Sequence, residues 1–284
     1  MIRIISDSTC DLSAELQARC GVTILPLNIV LGDATYRDGV DITPDEIYAW
    51  ADAHQTTPKT AACSTDAARK AFRPLIENGD ELLVFTISAS MSGSHNAMRL
   101  AADMLEGGER IHLIDSANLS TGVGLLVMAA ADMVAQGLPA GEIVRRVEEL
   151  KPLVRASFVV DTLTYLHRGG RCSGVAAFMG SALKLHPRIR VTGGAMSADK
   201  KYRGAMDRVL MKYVADLEAE LRTARPERVF ITHSGVSEST IRSVEDYLRG
   251  LGRFGEILVT RAGGVISSHC GPGTLGVLFI AGQE

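Results

Sequence analysis

Aromatic residues are scarce in this sequence, at 5% of 284 residues, and there is a single tryptophan. The hydrophobic residues, which make up 46% of the chain, are therefore mostly aliphatic. An excess of either charge is also lacking, because the formal net charge is only −3. This balance gives no electrostatic reason to expect nucleic acid or an anionic membrane as a partner, and the sequence predicts neither.

Long hydrophobic runs and metal-binding motifs are absent as well. The segment Arg3-Ile4-Ile5 leads directly into Ser6-Asp7-Ser8, so there is no signal-peptide core, and no later stretch could cross a bilayer. The five cysteines form no CxxC pair, and the seven histidines form no HxxH or HExxH pair. We therefore predict a cytoplasmic protein with reduced thiols, no metal site and no stable insertion into a membrane.

Motifs for nucleotide cofactors are missing too. No glycine-rich loop ends in Gly-Lys-Ser/Thr, so the chain lacks a recognisable site for ATP. The segment Gly271 to Gly276 formally matches GxGxxG, but the eight residues that follow it cannot supply the helix, strand and acidic residue of a dinucleotide site. We expect no cofactor.

What the sequence does contain is an alternation of apolar strand patterns and helix patterns. This order predicts an α/β protein, and the length favours two domains, at residues 1–155 and 156–284. The first should hold a mostly parallel sheet flanked by helices, and the second a mixed α/β arrangement, with the ligand site at their junction. Val22 to Val30 is predicted as one strand, His54 to Ser64 as a polar loop, and Ser173 to Leu185 as a helix.

Two helix predictions rest on specific local signals. Thr43-Pro44-Asp45-Glu46 combines a capping threonine, a proline at the first helical position and a glutamate three residues after the cap. Ser120 to Gln136 is almost wholly apolar, which predicts a buried helix.

The segment Gly263 to Gly276 is the strongest candidate for a binding site. It combines several glycines with Ser267, Ser268, His269 and Thr274, and we predict a loop that holds an oxygen-rich group. A lone histidine is more often structural, but a glycine-rich polar loop has little need of one for packing.

A second candidate is the serine-rich turn from Ser88 to Ser94, which follows a strong strand pattern and precedes a helix. Such a turn collects unpaired N–H groups at the positive end of the helix dipole and can bind an anion. Ser92 could equally be a helix cap, since that role alone would account for one serine.

Four further residues have competing interpretations. Thr60 and Ser64 lie where ordinary turn chemistry explains hydroxyl groups. His233 follows a strand and could be a core or capping residue. Arg171 could bind an anion, fix a carbonyl at a helix C-terminus or face a partner protein.

The chain as a whole resembles the DegV family, which includes the fatty-acid-binding subunits of bacterial fatty-acid kinase. The resemblance extends over nearly the full length and depends on the order of its motifs. These motifs are Ser6-Asp7-Ser8, Asp38-Gly39, Thr60 to Ser64, Ser92-Gly93, Asp115-Ser116, Gly169-Gly170-Arg171 and Gly264-Val265-Ile266 through His269-Cys270-Gly271-Pro272-Gly273.

The resemblance implies a two-domain α/β protein that buries one long-chain fatty acid. A separate kinase subunit would phosphorylate the carboxylate with ATP, and an acyltransferase would use the acyl phosphate for phospholipid synthesis. Carried over by motif, Thr60, Ser92 and His269 contact the carboxylate. The full set of candidate ligand-binding residues is Thr60, Ser64, Ser92, Gly93, Arg171, Ser268 and His269.

This sequence departs from the family's Thr-Ser-Gln-Pro-Ser loop, because Ala61, Ala62 and Cys63 stand between Thr60 and Ser64. The aliphatic stretches Gly122 to Met133 and Val175 to Leu185 are candidates for lining an acyl slot, although ordinary core packing also explains them.

Two other classes of function remain open on the residues alone. A lipid esterase or thioesterase would use Ser92 as nucleophile, His269 as base and Asp115 or Asp7 to orient it. Against this, Met91-Ser92-Gly93 lacks the GxSxG elbow. A regulator that senses a lipid through a protein partner is the third class.

Overall fold

The computed structural model describes residues 1–173 and 185–282. The N-terminal half contains β1 (Ile2–Asp7), α1 (Ala14–Cys20), β2 (Val22–Leu25), β3 (Asn28–Leu31), β4 (Ala34–Arg37), α2 (Pro44–His54), β5 (Lys59–Ala61), α3 (Thr65–Glu77), β6 (Glu81–Thr86), α4 (Ser94–Asp103), β7 (Ile111–Asp115), α5 (Thr121–Ala135) and α6 (Ala140–Leu150). The C-terminal half contains β8 (Val154–Val159), α7 (Thr164–Gly169), β9 (Cys172–Ser173), β10 (Leu185–Thr192), β11 (Ala195–Arg203), α8 (Met206–Asp216), α9 (Glu218–Thr223), β12 (Ala224–His233), α10 (Glu238–Gly250), β13 (Glu256–Arg261), α11 (Gly264–Cys270) and β14 (Leu275–Ala281).

A parallel sheet in the order β2-β1-β6-β7 forms the centre of the N-terminal half. The chain moves outward from β1 to β2 on one side and from β6 to β7 on the other, so the strand order reverses between β1 and β6. Ligands of open α/β sheets bind beyond the carboxyl ends of the strands at such a switch point. Asp7 ends β1, and the serine-rich turn follows β6 at this same edge.

A small antiparallel sheet in the order β4-β3-β5 corrects two of the sequence predictions. The single strand expected over Val22 to Val30 is two strands, β2 and β3, in different sheets. Pro26 lies between them, and because proline has no N–H to donate it cannot continue the ladder. The loop expected over His54 to Ser64 contains β5, which pairs with β3.

The C-terminal half forms a mixed sheet whose described strands follow the order β13-β12-β14-β8-β10-β11-β9. Helix α5 packs between this sheet and the parallel one, against β1, β6, β8 and β14. It is buried on nearly every side, as its apolar sequence predicted. An added Cβ at Gly124 would lie 2.8 Å from the carbonyl oxygen of Cys10, so glycine permits the close packing there.

The segment that includes His269 is a helix rather than the predicted loop. Helix α11 comes from the C-terminal half but docks on the small sheet of the N-terminal half. An added Cβ at Gly264 would lie 2.5 Å from Ile29 Cδ1 and 2.7 Å from Ile47 Cδ1, which shows how closely the helix backbone approaches. Val265 joins a hydrophobic cluster with Leu27, Ile29, Leu31, Ile42 and Ile47.

The sheets divide the chain close to the predicted boundary, since the strands of the mixed sheet begin with β8 at Val154. The division into domains at residues 155 and 156 stays a prediction. The predicted helix at Ser173 to Leu185 lies outside the described residues except at its two ends, where Ser173 belongs to β9 and Leu185 to β10. The aliphatic stretch over Val175 to Leu185 lies outside them in the same way.

Candidate functional site

One cavity of about 240 Å³ lies between the two halves of the chain. Since about 10–15 Å³ accommodates a water molecule, this volume suits a ligand larger than a few waters. Much of the wall is apolar, and it includes Leu27, Ile87, Met91, Leu119, Phe158, Leu166, Met196, Val265, Ile266 and Leu278. Of the stretch Gly122 to Met133, no residue lines this cavity, so α5 supplies core packing instead.

Four of the predicted site side chains line this same cavity: Thr60, Ser92, Arg171 and His269, together with the backbone of Gly93. They come from β5, the turn before α4, the end of α7 and α11. Thr60, Ser92 and His269 are half-buried and Arg171 is exposed, whereas most of the apolar wall is buried. The polar part of the cavity can therefore be reached from solvent.

His269 connects the two halves directly, because its Nε2 lies 2.8 Å from Thr60 Oγ1. Its other ring nitrogen, Nδ1, is buried and has no hydrogen-bond partner within residues 1–173 and 185–282. An added Cβ at Gly169 would lie 2.5 Å from Nδ1, so α7 holds the other edge of the ring. Burial, with a smaller contribution from Arg171, lowers the pKa of His269 to about 4. The imidazole is thus neutral at pH 7.

A neutral His269 can have either of two tautomers, and the choice determines what Thr60 can do. If Nε2 carries the proton it donates to Thr60 Oγ1, and the threonine O–H is then free to donate to a ligand oxygen. In the other tautomer Nε2 has no proton, and the threonine O–H donates to it instead of to a ligand. Only the first arrangement gives an anion a donor at Thr60.

The serine-rich turn has two separate roles. Ser88 Oγ and Ser90 Oγ both donate to the carbonyl oxygen of Gly194, at 2.7 and 2.5 Å, and so hold the β10–β11 hairpin against the N-terminal half. Ser92 Oγ lies 2.9 Å from Ser94 Oγ and accepts from Ser94 N at 3.2 Å. Ser92 therefore accepts from the first N–H of α4 without occupying the N-cap position, and it also lines the cavity.

Gly93 is the N-cap residue of α4 and makes no side-chain cap. The first N–H groups of the helix lie next to Ser92, where helix ends favour an anion. No atom lies within 4 Å of an added Cβ at this position, so packing does not require glycine there.

Arg171 donates from Nη1 to the carbonyl oxygen of Gly169 at 2.5 Å, at the end of α7. This matches the interpretation in which the arginine fixes a helix C-terminal carbonyl. Its side chain is otherwise exposed beside the cavity and adds positive potential to the polar part.

Two predicted site residues lie away from the cavity wall. Ser64 caps α3, where its Oγ accepts from Ala67 N at 3.1 Å. Ser268 is buried and donates to the carbonyl oxygen of Gly264 at 2.7 Å within α11. His233 does line the cavity, and burial lowers its pKa.

Two hydroxyl residues outside the predicted set of ligand-binding residues also line the cavity, Ser234 and Thr274. Ser234 Oγ donates to the carbonyl oxygen of Gly271 at 2.5 Å and accepts from Thr274 N at 3.0 Å. Thr274 Oγ1 donates to the carbonyl oxygen of Cys270 at 3.0 Å. The sequence analysis named Thr274 in the glycine-rich segment but did not single out Ser234, although its position directly after β12 was a signal for it.

The arrangement does not form the hydrolase triad considered from the sequence. The hydroxyl of Ser92 pairs with Ser94, and His269 Nε2 pairs with Thr60. The two carboxylates considered as orienting groups bond elsewhere, Asp115 to backbone N–H groups of Ala89 and Ala117, and Asp7 to Thr9 and Ile87.

Within the described residues, no group of three or more His, Cys, Asp or Glu side chains could hold a metal ion. No helix among them has both the length and the apolar character needed to span a bilayer.

The fold and the site define a two-domain α/β protein with one largely apolar cavity at the junction, reached through a cluster of hydroxyl, imidazole and guanidinium groups. The family model described as "Uncharacterised protein, DegV family" matches residues 1–282. The chain belongs to the DegV family.

Individual relatives agree with this assignment. A DegV domain-containing protein of Deinococcus radiodurans is 32% identical over 280 residues, which cover 97% of both chains. The structure of a fatty-acid-binding DegV family protein from Thermus thermophilus matches with a TM-score of 0.89, 31% identity and 99% of both chains. A stearic-acid-binding protein from Eubacterium ventriosum matches with a TM-score of 0.86 and 29% identity, over 99% of this chain and 98% of the other.

Proposed function

We propose that this chain binds one long-chain fatty acid in the cavity and presents its carboxylate to a separate ATP-dependent fatty-acid kinase. Thr60 and Ser92 donate to the carboxylate, and His269 orients the Thr60 hydroxyl toward it from Nε2. Gly93 N–H and Arg171 lie beside the carboxylate, and the apolar wall surrounds the tail. The observation that carries the proposal is the convergence of these polar side chains, from four separate elements, on one otherwise apolar cavity. The fatty-acid-binding relatives support the ligand class.

The energetics of the tail are sufficient for binding. A C16 chain has about 14 methylenes, and at roughly 0.8 kcal/mol each their burial contributes on the order of 11 kcal/mol before ordering costs. The head group then needs only a few hydrogen bonds. Neutral donors orient the carboxylate without neutralising it as a buried arginine pair would, so one oxygen stays available as a nucleophile.

The phosphoryl transfer belongs to the partner in this proposal. A carboxylate oxygen attacks the γ-phosphorus of ATP held by the kinase subunit, the bond to the bridging oxygen breaks, and acyl phosphate and ADP form. The sequence contains no glycine-rich loop that ends in Gly-Lys-Ser/Thr, the motif of the common ATP-binding loop. The acyl phosphate then passes to an acyltransferase for phospholipid synthesis. Because the kinase step uses ATP, the proposal includes a cytoplasmic location for the chain.

Mass spectrometry of lipid extracted from the denatured, purified protein tests the binding step. We expect one fatty acid for each chain. Protein that arrives empty, and that takes up no palmitate after delipidation, contradicts the proposal.

Incubation of loaded protein with ATP and the kinase subunit, with hydroxylamine to trap acyl phosphate, tests the presentation step. Ser92→Ala and His269→Ala should each lower the rate of hydroxamate formation. If both variants form hydroxamate at the wild-type rate, Ser92 and His269 do not hold the carboxylate for the kinase. Hydrolysis of a nitrophenyl ester that is abolished by Ser92→Ala would favour the esterase instead.

A further inference from the structure

Two buried carboxylates of the N-terminal half hold the first turn of α11. Gly263 N donates to Asp11 Oδ1 at 2.8 Å, and Gly264 N donates to Asp38 Oδ1 at 2.7 Å. The side chains belong to residues that are only 6% and 3% exposed. The sequence pattern pointed to neither residue as part of the site: Asp11 suggested a helix cap, a position that Ser13 occupies, and Asp38-Gly39 is one of the motifs that carry the family resemblance.

The second oxygen of each carboxylate is also bonded. Ser120 Oγ donates to Asp11 at 2.5 Å, and Ser8 Oγ donates to Asp38 at 2.7 Å. Ser120, which donates to Asp11, has φ 52° and ψ −144°, a conformation that residues other than glycine rarely adopt, whereas Asp11 at φ 50° lies in the left-handed region that aspartate tolerates. The backbone is therefore strained at Ser120, which donates to the second oxygen of Asp11.

We propose that Asp11 and Asp38 are positioning residues that act through α11 to place the His269 ring against Thr60 in the geometry that receives the ligand carboxylate. This inference rests on the proposed function, and it adds the residues that make the site geometry possible. Neither aspartate lines the cavity, so neither contacts the ligand.

The length of α11 makes this coupling direct. Gly264 and His269 are five residues apart, which is about 7.5 Å along a helix axis. The first turn cannot adjust independently, because the backbone at Gly264 lies against Ile29 and Ile47 as well as Asp38. A shift of about 1 Å at this turn would carry the ring out of the 2.8 Å contact with Thr60, since hydrogen bonds weaken steeply beyond about 3.2 Å.

The choice of acidic side chains has a physical reason. Bonds from backbone N–H groups to a carboxylate are shorter and stronger than bonds to a neutral acceptor, and the start of a helix favours negative charge. Burial opposes this and raises the pKa of both side chains above the ordinary value, whereas the bonds from Ser120 Oγ and Gly263 N to Asp11, and from Ser8 Oγ and Gly264 N to Asp38, favour the ionised forms. Burying two acidic side chains costs desolvation energy that their hydrogen bonds recover only in part. This favours a role in positioning α11 over a role in stability alone.

Asp38→Asn and Asp11→Asn test the proposal with full-length, delipidated protein. Each variant keeps the side-chain shape but weakens the bond to α11. Affinities are measured for palmitic acid, which uses the head-group site, and for 1-hexadecanol, which has the same tail length. We expect each variant to bind the acid at least fivefold more weakly and the alcohol within twofold of the wild type.

Asp80→Asn is the matched control, because Asp80 is also buried but bonds to Arg3 and the N-terminal amine, away from the cavity. This variant should lose stability without changing the ratio of the two affinities. Asp38→Ala should lose more affinity for palmitic acid than Asp38→Asn. If Asp38→Ala fails to fold, the two asparagine variants test the proposal.

The ¹⁵N shifts of the His269 ring provide a second measurement that needs no ligand. They should change in Asp38→Asn and Asp11→Asn and stay the same in Asp80→Asn. Unchanged ring signals with an unchanged ratio of acid to alcohol affinity overturn the positioning role. Failure of the wild type to bind palmitic acid removes the proposed function, whereas the ring signals still decide whether the aspartates position His269.

Discussion

At the scale of single residues, the contact between Thr60 and His269 joins the two halves of the chain at the candidate site. The two residues are 209 positions apart in the sequence, Thr60 on β5 and His269 on α11, yet their side chains share one hydrogen bond of 2.8 Å. The neutral imidazole leaves the threonine hydroxyl as a donor in one tautomer. Whether Thr60 can donate to an anion therefore depends on which nitrogen of His269 carries the proton.

Thr60→Val should weaken the binding of palmitate by roughly 10- to 100-fold, because a hydrogen bond to a charged group contributes about 1.5–3 kcal/mol. Valine has nearly the same shape, so the fold should be retained. The affinity is measured by displacement of a fluorescent fatty acid. Thr35→Val on β4 is the control, since Thr35 is exposed and outside the cavity wall. Equal affinities of Thr60→Val and the wild type would show that the hydroxyl does not contact the carboxylate.

Gly169→Ala should weaken palmitate binding at least tenfold with little loss of folding stability. Gly169 has no positive φ, so alanine suits its backbone, but the added methyl would lie 2.5 Å from His269 Nδ1 and push the ring away from Thr60. Titration calorimetry and urea unfolding together check this. Gly141→Ala on α6 is the matched control, because no atom lies within 4 Å of its added Cβ. The prediction is wrong if Gly169→Ala binds palmitate like the control.

At the scale of elements, the hairpin of β10 and β11 is held on the N-terminal half by Ser88 and Ser90. The double variant Ser88→Ala/Ser90→Ala should lower the free energy of unfolding by about 1–3 kcal/mol, since two hydrogen bonds to the Gly194 carbonyl are lost. Amide hydrogen exchange at the hairpin should become faster. Ser243→Ala, which removes an exposed bond within α10, should change neither measurement. Unaltered exchange in the double variant would argue against this attachment.

Several elements were predictable because their signals are local. The capping box of α2 is present, with Thr43 N donating to Glu46 Oε2 at 2.8 Å, and α5 is buried as its composition indicated. The predictions failed where the deciding contact is distant. Helix α11 contains Gly264 and two serines, which are poor helix formers, and it is stabilised by docking on Ile29 and Ile47.

The candidate site was predictable only in part for the same reason. Residue types near strand ends indicated Ser92 and His269, and the motif order added Thr60. Asp11 and Asp38 gave no local signal, because an aspartate at a turn is ordinary and its long-range bond to α11 is visible only after folding. Ser64 caps α3 and does not line the cavity, and its role in ligand binding stays a prediction, since a capping serine resembles a ligand-binding one in sequence.

At the scale of the whole molecule, the buried His269 makes stability depend on pH. Its folded pKa of about 4 lies below the ordinary value of 6.5, so the unfolded chain takes up the proton first as the pH falls. Stability from this group is complete above about pH 6.5 and is lost as the pH falls toward 4. The loss is at most about 3 kcal/mol, at 1.36 kcal/mol for each pKa unit.

His269→Gln should therefore lose less stability than the wild type between pH 7 and pH 4.5. The free energy of unfolding in urea is measured for both proteins at each pH. The buried aspartates titrate in both, so their contributions cancel in the comparison. If the free energy of unfolding depends on pH in the same way in both proteins, the pKa of His269 is not lowered by burial.

The docking of α11 on the N-terminal half also has a consequence for biosynthesis. The strand that carries Thr60 leaves the ribosome long before His269 is translated, so a nascent chain has only one side of the cavity until α11 has been made. If the proposed function holds, uptake of a fatty acid waits until this last helix has docked. A truncated chain that ends before Gly263 should therefore bind no palmitate.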